Sequence, residues 1–200
     1  MYEIFHYKKN NFNDVGFGCS YRNIQTIISA LKLFYFNTLI VPDIEELLKE
    51  IKPGYKDIIA TSNIKSLWIE PHDIYDYFYK HLGMRGNRIL YCVSMFDIKK
   101  MLNERDISKY EVFLHKIRFD KVLQIFVNHF KESKLPIVID DGVYSYLISE
   151  IYKCKKKFVL IDPHTFDKNS AVTVKDIDFL KNSFWMIYVP DCNTVKTYSS

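Results

Sequence analysis

Cys19 stands in the stretch DVGFGCSYRNIQTI, with Gly16 and Gly18 directly before it. Apolar residues recur at helical spacing after this cysteine, which predicts that Cys19 lies at or near the N-terminus of a helix. Unpaired N–H groups and partial positive charge at a helix N-terminus favour a thiolate over a thiol. The glycines would let the chain turn into the helix and leave the sulfur open to a substrate. A buried structural cysteine needs neither feature, so the stretch indicates a nucleophile.

His164 is the histidine whose neighbours best fit a catalytic base. It follows Asp162 by two residues in FVLIDPHTF, at the end of a strand-like run. Residues i and i+2 of an extended segment point to the same face, so the carboxylate and the imidazole are predicted side by side. Pro163 between them fixes φ and lacks an N–H, which suits a segment leaving a sheet. Alone, the segment also fits an ordinary Asp-Pro-His turn; its combination with Cys19 favours catalysis.

The other histidines are weaker candidates for the base. Three lie in helix patterns rich in aromatic and charged residues, one in a predicted strand and one in a mixed charged segment. In order, they are His72, His81, His129, His6 and His115.

The elements that would position these residues are helices first and strands later. Helices are predicted at residues 19–34, 43–52, 72–82, 96–104 and 119–133, and strands at 2–7, 88–94, 136–140, 144–152, 156–162 and 184–190. This order predicts an α+β fold in which a central helix packs on a mostly antiparallel sheet. No repeat or linker divides the chain, so we expect one domain over residues 1–200.

The charge balance argues against a nucleic-acid partner. The 28 Lys and Arg residues exceed the 24 Asp and Glu residues by only four, and they are dispersed along 200 residues. The densest basic run, KCKKK at residues 153–157, lies between two predicted strands and fits a solvated hairpin turn.

The four cysteines are irregularly spaced, with no CxxC pair that could begin a zinc site. We therefore expect free thiols in a reducing compartment. The first residues, MYEIFHYKKN, contain no apolar core of the length typical of a signal peptide, and no later run approaches the roughly 20 apolar residues of a membrane span. We expect a cytoplasmic monomer, with a nuclear location left open. The cysteines are Cys19, Cys92, Cys154 and Cys192.

Several blocks of the sequence resemble a known protease family. DVGFGCSYRNIQT resembles the GWGCxYRxxQT signature of the proteases specific for the ubiquitin-fold modifier, the UfSP family, and FVLIDPHTF is similar to their LILDPHY segment. Weaker matches follow in order: SLWIEPHDIYDYF with a WIGS region, PIVIDDGVYSYLI with PVMIGGGVLAYTL, and FWMIYVPD with YYNLCLPQ. Together they span nearly the whole chain. The resemblance implies a papain-like fold and a bare catalytic domain without an N-terminal extension.

The resemblance also implies a role for each matching residue. Cys19 would be the nucleophile, His164 the base and Asp162 the residue that orients the base. Tyr7, twelve residues before Cys19, matches the tyrosine that the family uses as an oxyanion donor. The implied reaction is cleavage after the C-terminal glycine of the modifier through a thioester, which matures the precursor or removes the modifier from conjugates. This thioester chemistry needs neither a metal nor an organic cofactor. The modifier and its conjugates would be the partners.

Some positions depart from the family pattern, and all of them concern the substrate groove. Phe17 replaces the usual tryptophan, Glu70 and Pro71 stand in place of Gly-Ser, and Asp140 and Asp141 replace two glycines. Two acids would narrow a glycine-lined groove and change its charge. These departures therefore bear on substrate preference more than on the chemistry.

Other functions stay open at the level of sequence. Autophagins share a GWGC helix start and a DPHT motif, which Thr165 matches, but the short distance from Cys19 to Asp162 and the position of Tyr7 argue against them. A ubiquitin-directed protease of the same fold is a further possibility. An inactive module that binds and shields a modifier is the third alternative, although it would not need all four site residues.

Overall fold

A computed structural model describes residues 2–92, 107–181 and 183–196. Its helices are α1 Cys19–Phe34, α2 Ile44–Ile51, α3 Tyr55–Ala60, α4 Pro71–Leu82 and α5 His115–Glu132. Its strands are β1 Arg85–Cys92, β2 Glu111–Leu114, β3 Ile137–Asp140, β4 Ser145–Tyr152, β5 Lys157–Ile161, β6 Val172–Asp176 and β7 Trp185–Asp191.

The seven strands form one sheet in the order β2-β1-β7-β3-β4-β5-β6. Only the β1–β2 pair is parallel, and the other five pairs are antiparallel. The predicted α+β architecture with a mostly antiparallel sheet is therefore confirmed.

Helices cover both faces of this sheet. Along β3, Val138 packs in the core shared with α1, α2 and α4. Its neighbours Ile137 and Ile139 pack in the opposite core, with α5. Successive side chains of β3 therefore point into two different cores. This is why the strand sequence IVID is apolar at three successive positions.

Helix α1 is buried on all sides along residues 19–31. Its apolar stripe, Ile24, Ile27, Ile28 and Leu31, packs in the core beside the sheet. The opposite, polar side is covered by the N-terminal segment of the chain. The predicted central helix is thus confirmed, and it begins at Cys19.

The predicted strand at residues 2–7 is wrong, because this segment lies along α1 instead of along another strand. The N–H of Glu3 donates to Ser29 Oγ at 2.8 Å, and the N–H of Phe5 donates to Thr26 Oγ1 at 3.0 Å. Side-chain hydroxyls on a helix thus supply acceptors that a neighbouring strand would otherwise provide.

The remaining element predictions hold within a few residues where they can be compared. The KCKKK run forms the turn between β4 and β5, as predicted, with Lys156 at a φ of 50°. Helix α5 begins four residues before the predicted start, and α3, β2 and β6 were not predicted. The helix predicted at residues 96–104 lies outside the described residues.

The four cysteines form no disulfide bonds with one another. Within the three described ranges, no helix combines the length and the apolar character needed to cross a membrane.

Candidate active site

Cys19 is the first residue of α1, so it lies where the N–H groups of the helix have no intrahelical acceptor. Its side chain lines a cavity of about 360 Å³ together with Phe17 and Trp68. The indole Nε1 of Trp68 donates to the carbonyl of Gly16 at 2.7 Å, which fixes this aromatic wall to the turn before the cysteine. A thiolate formed here would face the cavity and be stabilised by the helix terminus.

The two glycines before Cys19 are each required for a different structural reason. Gly16 has a φ of +91°, a left-handed conformation that favours glycine. Gly18 has an ordinary φ of −79°, but a Cβ there would lie 2.2 Å from Asp14 Oδ2. Gly18 therefore makes room for the Asp14 carboxylate. This differs from the expectation that it exposes the sulfur to a substrate.

Asp162 and His164 lie side by side, as predicted, but through a turn and not through strand alternation. The Nδ1 atom of His164 is 2.6 Å from Asp162 Oδ1, and the backbone N–H of His164 donates to the same oxygen at 2.9 Å. A carboxylate that accepts from the backbone two residues later makes an Asx turn. The Asp-Pro-His turn and the paired side chains are thus two aspects of one conformation.

The other ring nitrogen of His164 is directed away from Asp162. Nε2 is buried and makes no hydrogen bond to a protein atom among the described residues. The Cys19 thiol is nevertheless close enough to favour the charged imidazolium. With Nδ1 occupied by the carboxylate, Nε2 is the atom that can exchange a proton with the sulfur.

Three tyrosine rings pack around the imidazole of His164. Tyr7, Tyr144 and Tyr146 have ring centroids 5.3, 5.0 and 5.3 Å from it, all in T-shaped arrangements. The backbone N–H of Tyr7 also donates to the Pro163 carbonyl at 2.8 Å. The imidazole is therefore held in orientation on several sides.

The electrostatics of the site favour a charged histidine. Burial disfavours the imidazolium, but the Asp162 carboxylate and the Cys19 thiol outweigh burial and raise the pKa of His164 to about 9. Burial would raise the pKa of Asp162, yet its hydrogen bonds from His164 lower it overall. Both shifts fit an ionised Asp162 carboxylate paired with a His164 imidazolium.

Tyr7 joins the other three predicted residues at this site. Its side chain is buried, and burial, followed by the charge and hydrogen bond of Cys19, raises its pKa well above the ordinary value. The backbone of Gly16 contacts the same hydroxyl. The phenol therefore keeps its proton beside the cysteine and is available as a hydrogen-bond donor.

The cavity beside Cys19 carries charges of both signs. Glu70, Asp140 and Lys65 line it along with the aromatic wall, and Asp140 is 6% exposed. Two of the three acidic positions that depart from the family pattern, Glu70 and Asp140, thus line the same cavity as the cysteine. No group of three or more His, Cys, Asp or Glu side chains in the described parts of the chain is arranged to hold a metal ion.

Sequence reasoning missed several residues that build this site. Tyr144 and Tyr146 could have been suspected only from their place opposite the predicted turn at His164, and Trp68 only from its aromatic character. Asp14 and Arg22 lie inside the stretch that drew attention to Cys19, and a buried ion pair between them has no sequence signal of its own.

Known proteins resemble this chain over nearly its whole length. It is 23% identical over 205 residues to a Drosophila melanogaster protein described as "Probable Ufm1-specific protease 2", and 24% identical over 211 residues to an Oryza sativa protein described as "Probable Ufm1-specific protease". Each match covers 94% of this chain but only 30% and 29% of the relative, respectively. The chain thus spans about a third of the length of these relatives.

A solved structure and a family model agree with these matches. The crystal structure of UfSP from C. elegans superimposes with a TM-score of 0.64 at 20% identity, and covers 95% of this chain and 32% of that one. This likeness confirms the predicted papain-like fold. The model of Peptidase family C78 matches residues 1–186. Because that match extends over most of its length, the chain belongs to Peptidase family C78.

Proposed function

We propose that this chain is a thiol-dependent peptidase that cleaves after the C-terminal glycine of the ubiquitin-fold modifier Ufm1. The observation that carries the proposal is the single cluster formed by Cys19 at a helix N-terminus, the Asp162–His164 pair and the Tyr7 hydroxyl. The names of the relatives, both described as Ufm1-specific proteases, support this modifier over the autophagy modifier and over ubiquitin.

In the first half of the proposed reaction, Cys19 Sγ attacks the carbonyl carbon of the modifier's last glycine. The carbonyl oxygen becomes an oxyanion, which the backbone N–H of Cys19 and the hydroxyl of Tyr7 stabilise by hydrogen bonds. The C–N bond then breaks as the imidazolium of His164 gives its Nε2 proton to the departing amine. The modifier is left as a thioester on the sulfur.

In the second half, a water molecule attacks the thioester and His164, now neutral, accepts its proton. The C–S bond breaks, the modifier leaves with a free carboxylate, and the thiolate–imidazolium pair forms again. Asp162 holds Nδ1 throughout and so keeps Nε2 directed toward the reacting atoms. The products fit both maturation of a precursor and removal of the modifier from conjugates.

We further propose that residues 1–200 fold as one domain, act as a monomer, and work in the cytoplasm or the nucleus. The shared sheet supports the first point, because its strands extend from residue 85 to residue 191. Free thiols support a reducing compartment. Light scattering during size-exclusion chromatography would test the monomer.

The experiment that tests the function presents three electrophile-tipped probes in parallel: Ufm1, an autophagy modifier and ubiquitin. Intact mass would report the adduct, with Cys19→Ala as the inactive variant and Cys154→Ala, at an exposed cysteine, as the matched control. We expect an adduct with the Ufm1 probe alone, lost in Cys19→Ala and retained in Cys154→Ala. An adduct with another modifier would overturn the substrate, and binding without any adduct would favour a shielding module.

A further inference from the structure

A buried ion pair lies beneath the candidate active site. The Nε atom of Arg22 is 2.7 Å from Asp14 Oδ2, and neither side chain is exposed to solvent. Removing two charges from water is costly, and a buried pair often stabilises a fold no better than apolar residues would. The proposed reaction does not use either side chain, so the pair calls for another explanation.

Asp14 connects the two backbone segments that deliver the nucleophile and the oxyanion donor. Its Oδ1 accepts from the N–H of Lys8, the residue after Tyr7, at 2.8 Å. Its backbone carbonyl accepts from the N–H of Gly18, the residue before Cys19, at 2.8 Å. One residue therefore contacts the immediate neighbours of both functional side chains.

Arg22 binds the same two segments from within α1. It lies three residues after Cys19, on the first turn of the helix. Its Nη2 donates to the carbonyl of Lys9 at 2.9 Å, and its Nη1 donates to Gln25 Oε1 at 3.0 Å. With the bond to Asp14, all three guanidinium nitrogens are occupied, which the single ammonium of a lysine could not reproduce.

The backbone after Tyr7 needs such support. Lys8 has a φ of 60°, as do Asn10 and Asn11, which is the left-handed region that non-glycine residues seldom occupy. The bonds to Asp14 and Arg22 fall on Lys8 and Lys9, inside this strained turn. Strained backbone persists where surrounding contacts hold it, and it is concentrated at functional sites.

The rest of the N-terminal segment runs along one face of α1. Ser29 and Thr26 bind the N–H groups of Glu3 and Phe5, and Arg22 follows at the next helical step. The segment therefore reaches Cys19 from the C-terminal end of the helix, and its last contacts before the site are those with the ion pair.

We propose that Asp14 and Arg22 are positioning residues that set the Tyr7 hydroxyl against the oxyanion formed at Cys19. This role rests on the proposed function and deepens it. The pair does not touch the substrate, and it acts through the strained turn at Lys8 and the tight turn before α1. Without it, the thiolate would still form beside His164, but the second oxyanion donor would be misplaced.

The experiment compares two reactions of the same cysteine in Asp14→Asn and Arg22→Lys. Hydrolysis of a Ufm1 C-terminal fluorogenic amide forms an oxyanion, whereas alkylation of Cys19 by iodoacetamide needs only the thiolate. We expect kcat for hydrolysis to fall about 10- to 100-fold with KM unchanged, and the alkylation rate to stay within about twofold of wild type. Gly18→Ala, whose Cβ displaces the Asp14 carboxylate while leaving both charges in place, is expected to behave in the same way.

A double-mutant cycle with Tyr7→Phe makes the test specific. If the pair works through the Tyr7 hydroxyl, Asp14→Asn will lower kcat no further in the Tyr7→Phe background. Three outcomes would overturn the positioning role. The kcat losses of the two single variants could multiply in the double variant, the alkylation rate could fall in proportion to kcat, or the single variants could retain the wild-type kcat. A wild-type protein that hydrolyses no substrate would instead overturn the proposed function, and the positioning role with it.

Discussion

The Nδ1 atom of His164 lies 2.6 Å from Oδ1 of Asp162, and the same oxygen accepts the backbone N–H of His164. One carboxylate oxygen thus fixes both the turn and the orientation of the ring. The Asp-Pro-His turn therefore places the ring beside the carboxylate, and the three surrounding tyrosine rings complete its orientation.

Asp162→Asn should lower kcat for hydrolysis by roughly 100-fold or more, because an amide cannot stabilise the imidazolium or hold Nδ1–H as a carboxylate does. Steady-state hydrolysis of the Ufm1 amide would measure the change. Asp178→Asn, at an acid on the distant segment between β6 and β7, is the matched control and should leave kcat unchanged. Equal effects of both substitutions would contradict the assigned role.

The pKa of about 9 for His164 predicts different pH profiles for the two reactions of Cys19. Release of the amine needs the imidazolium, so kcat should fall as the pH rises through about 9. Alkylation needs only the thiolate, so its rate should not fall there. Stopped-flow alkylation and hydrolysis across this range would test the difference, and a parallel decline in both rates would contradict it.

The same shift predicts a pH dependence of stability. The folded-state pKa of His164 lies above the ordinary value of 6.5, so the folded chain binds this proton more tightly than the unfolded chain. The resulting stabilisation is fully present below about pH 6.5 and is lost as the pH rises through about 9. Urea unfolding should show this loss in wild type and a smaller one in His164→Asn. An identical pH dependence in both proteins would exclude His164 as its source.

Tyr7→Phe should lower kcat by roughly 10²- to 10³-fold while KM changes little, because the proposed role of the hydroxyl is to bind the oxyanion, which forms only during the reaction. Burial and Cys19 keep the phenol protonated, so the loss should be uniform across the working pH range. Tyr152→Phe, at an exposed tyrosine that ends β4, is the control. A loss expressed mainly in KM would instead assign Tyr7 to substrate binding.

The spacing of apolar residues predicted helix α1 and the central strands correctly, because burial determines which positions of these elements are apolar. Ile24, Ile27 and Leu31 recur at helical spacing and are all fully buried. The polar residues between them gave no sign of their surroundings. Arg22 and Thr26 look like a solvated helix face in sequence, yet both are buried under the N-terminal segment.

Two wrong predictions have the same cause, which is that the sequence does not show what surrounds a residue. The segment at residues 2–7 alternates like a strand, but its backbone partners are hydroxyls of α1, and a period of two does not identify the partner. Gly18 looked like an opening for substrate, although its missing Cβ accommodates Asp14. Both features depend on three-dimensional contacts: between residues 3–5 and α1 in the first case, and across a tight turn in the second. Patterns of residue type along the sequence do not encode such contacts.

Trp68 should contribute to substrate binding and not to the chemical step. It lines the cavity beside Cys19 and its indole N–H holds the Gly16 carbonyl. Trp68→Phe keeps an aromatic wall but loses that hydrogen bond, whereas Trp68→Ala loses both. We expect KM for the Ufm1 amide to rise by about 10-fold in Trp68→Ala and by less in Trp68→Phe, with alkylation of Cys19 unchanged in both. The proposed path of the modifier tail runs along this wall, so a Trp68→Ala protein with unaltered KM would place the tail on another side of the cysteine.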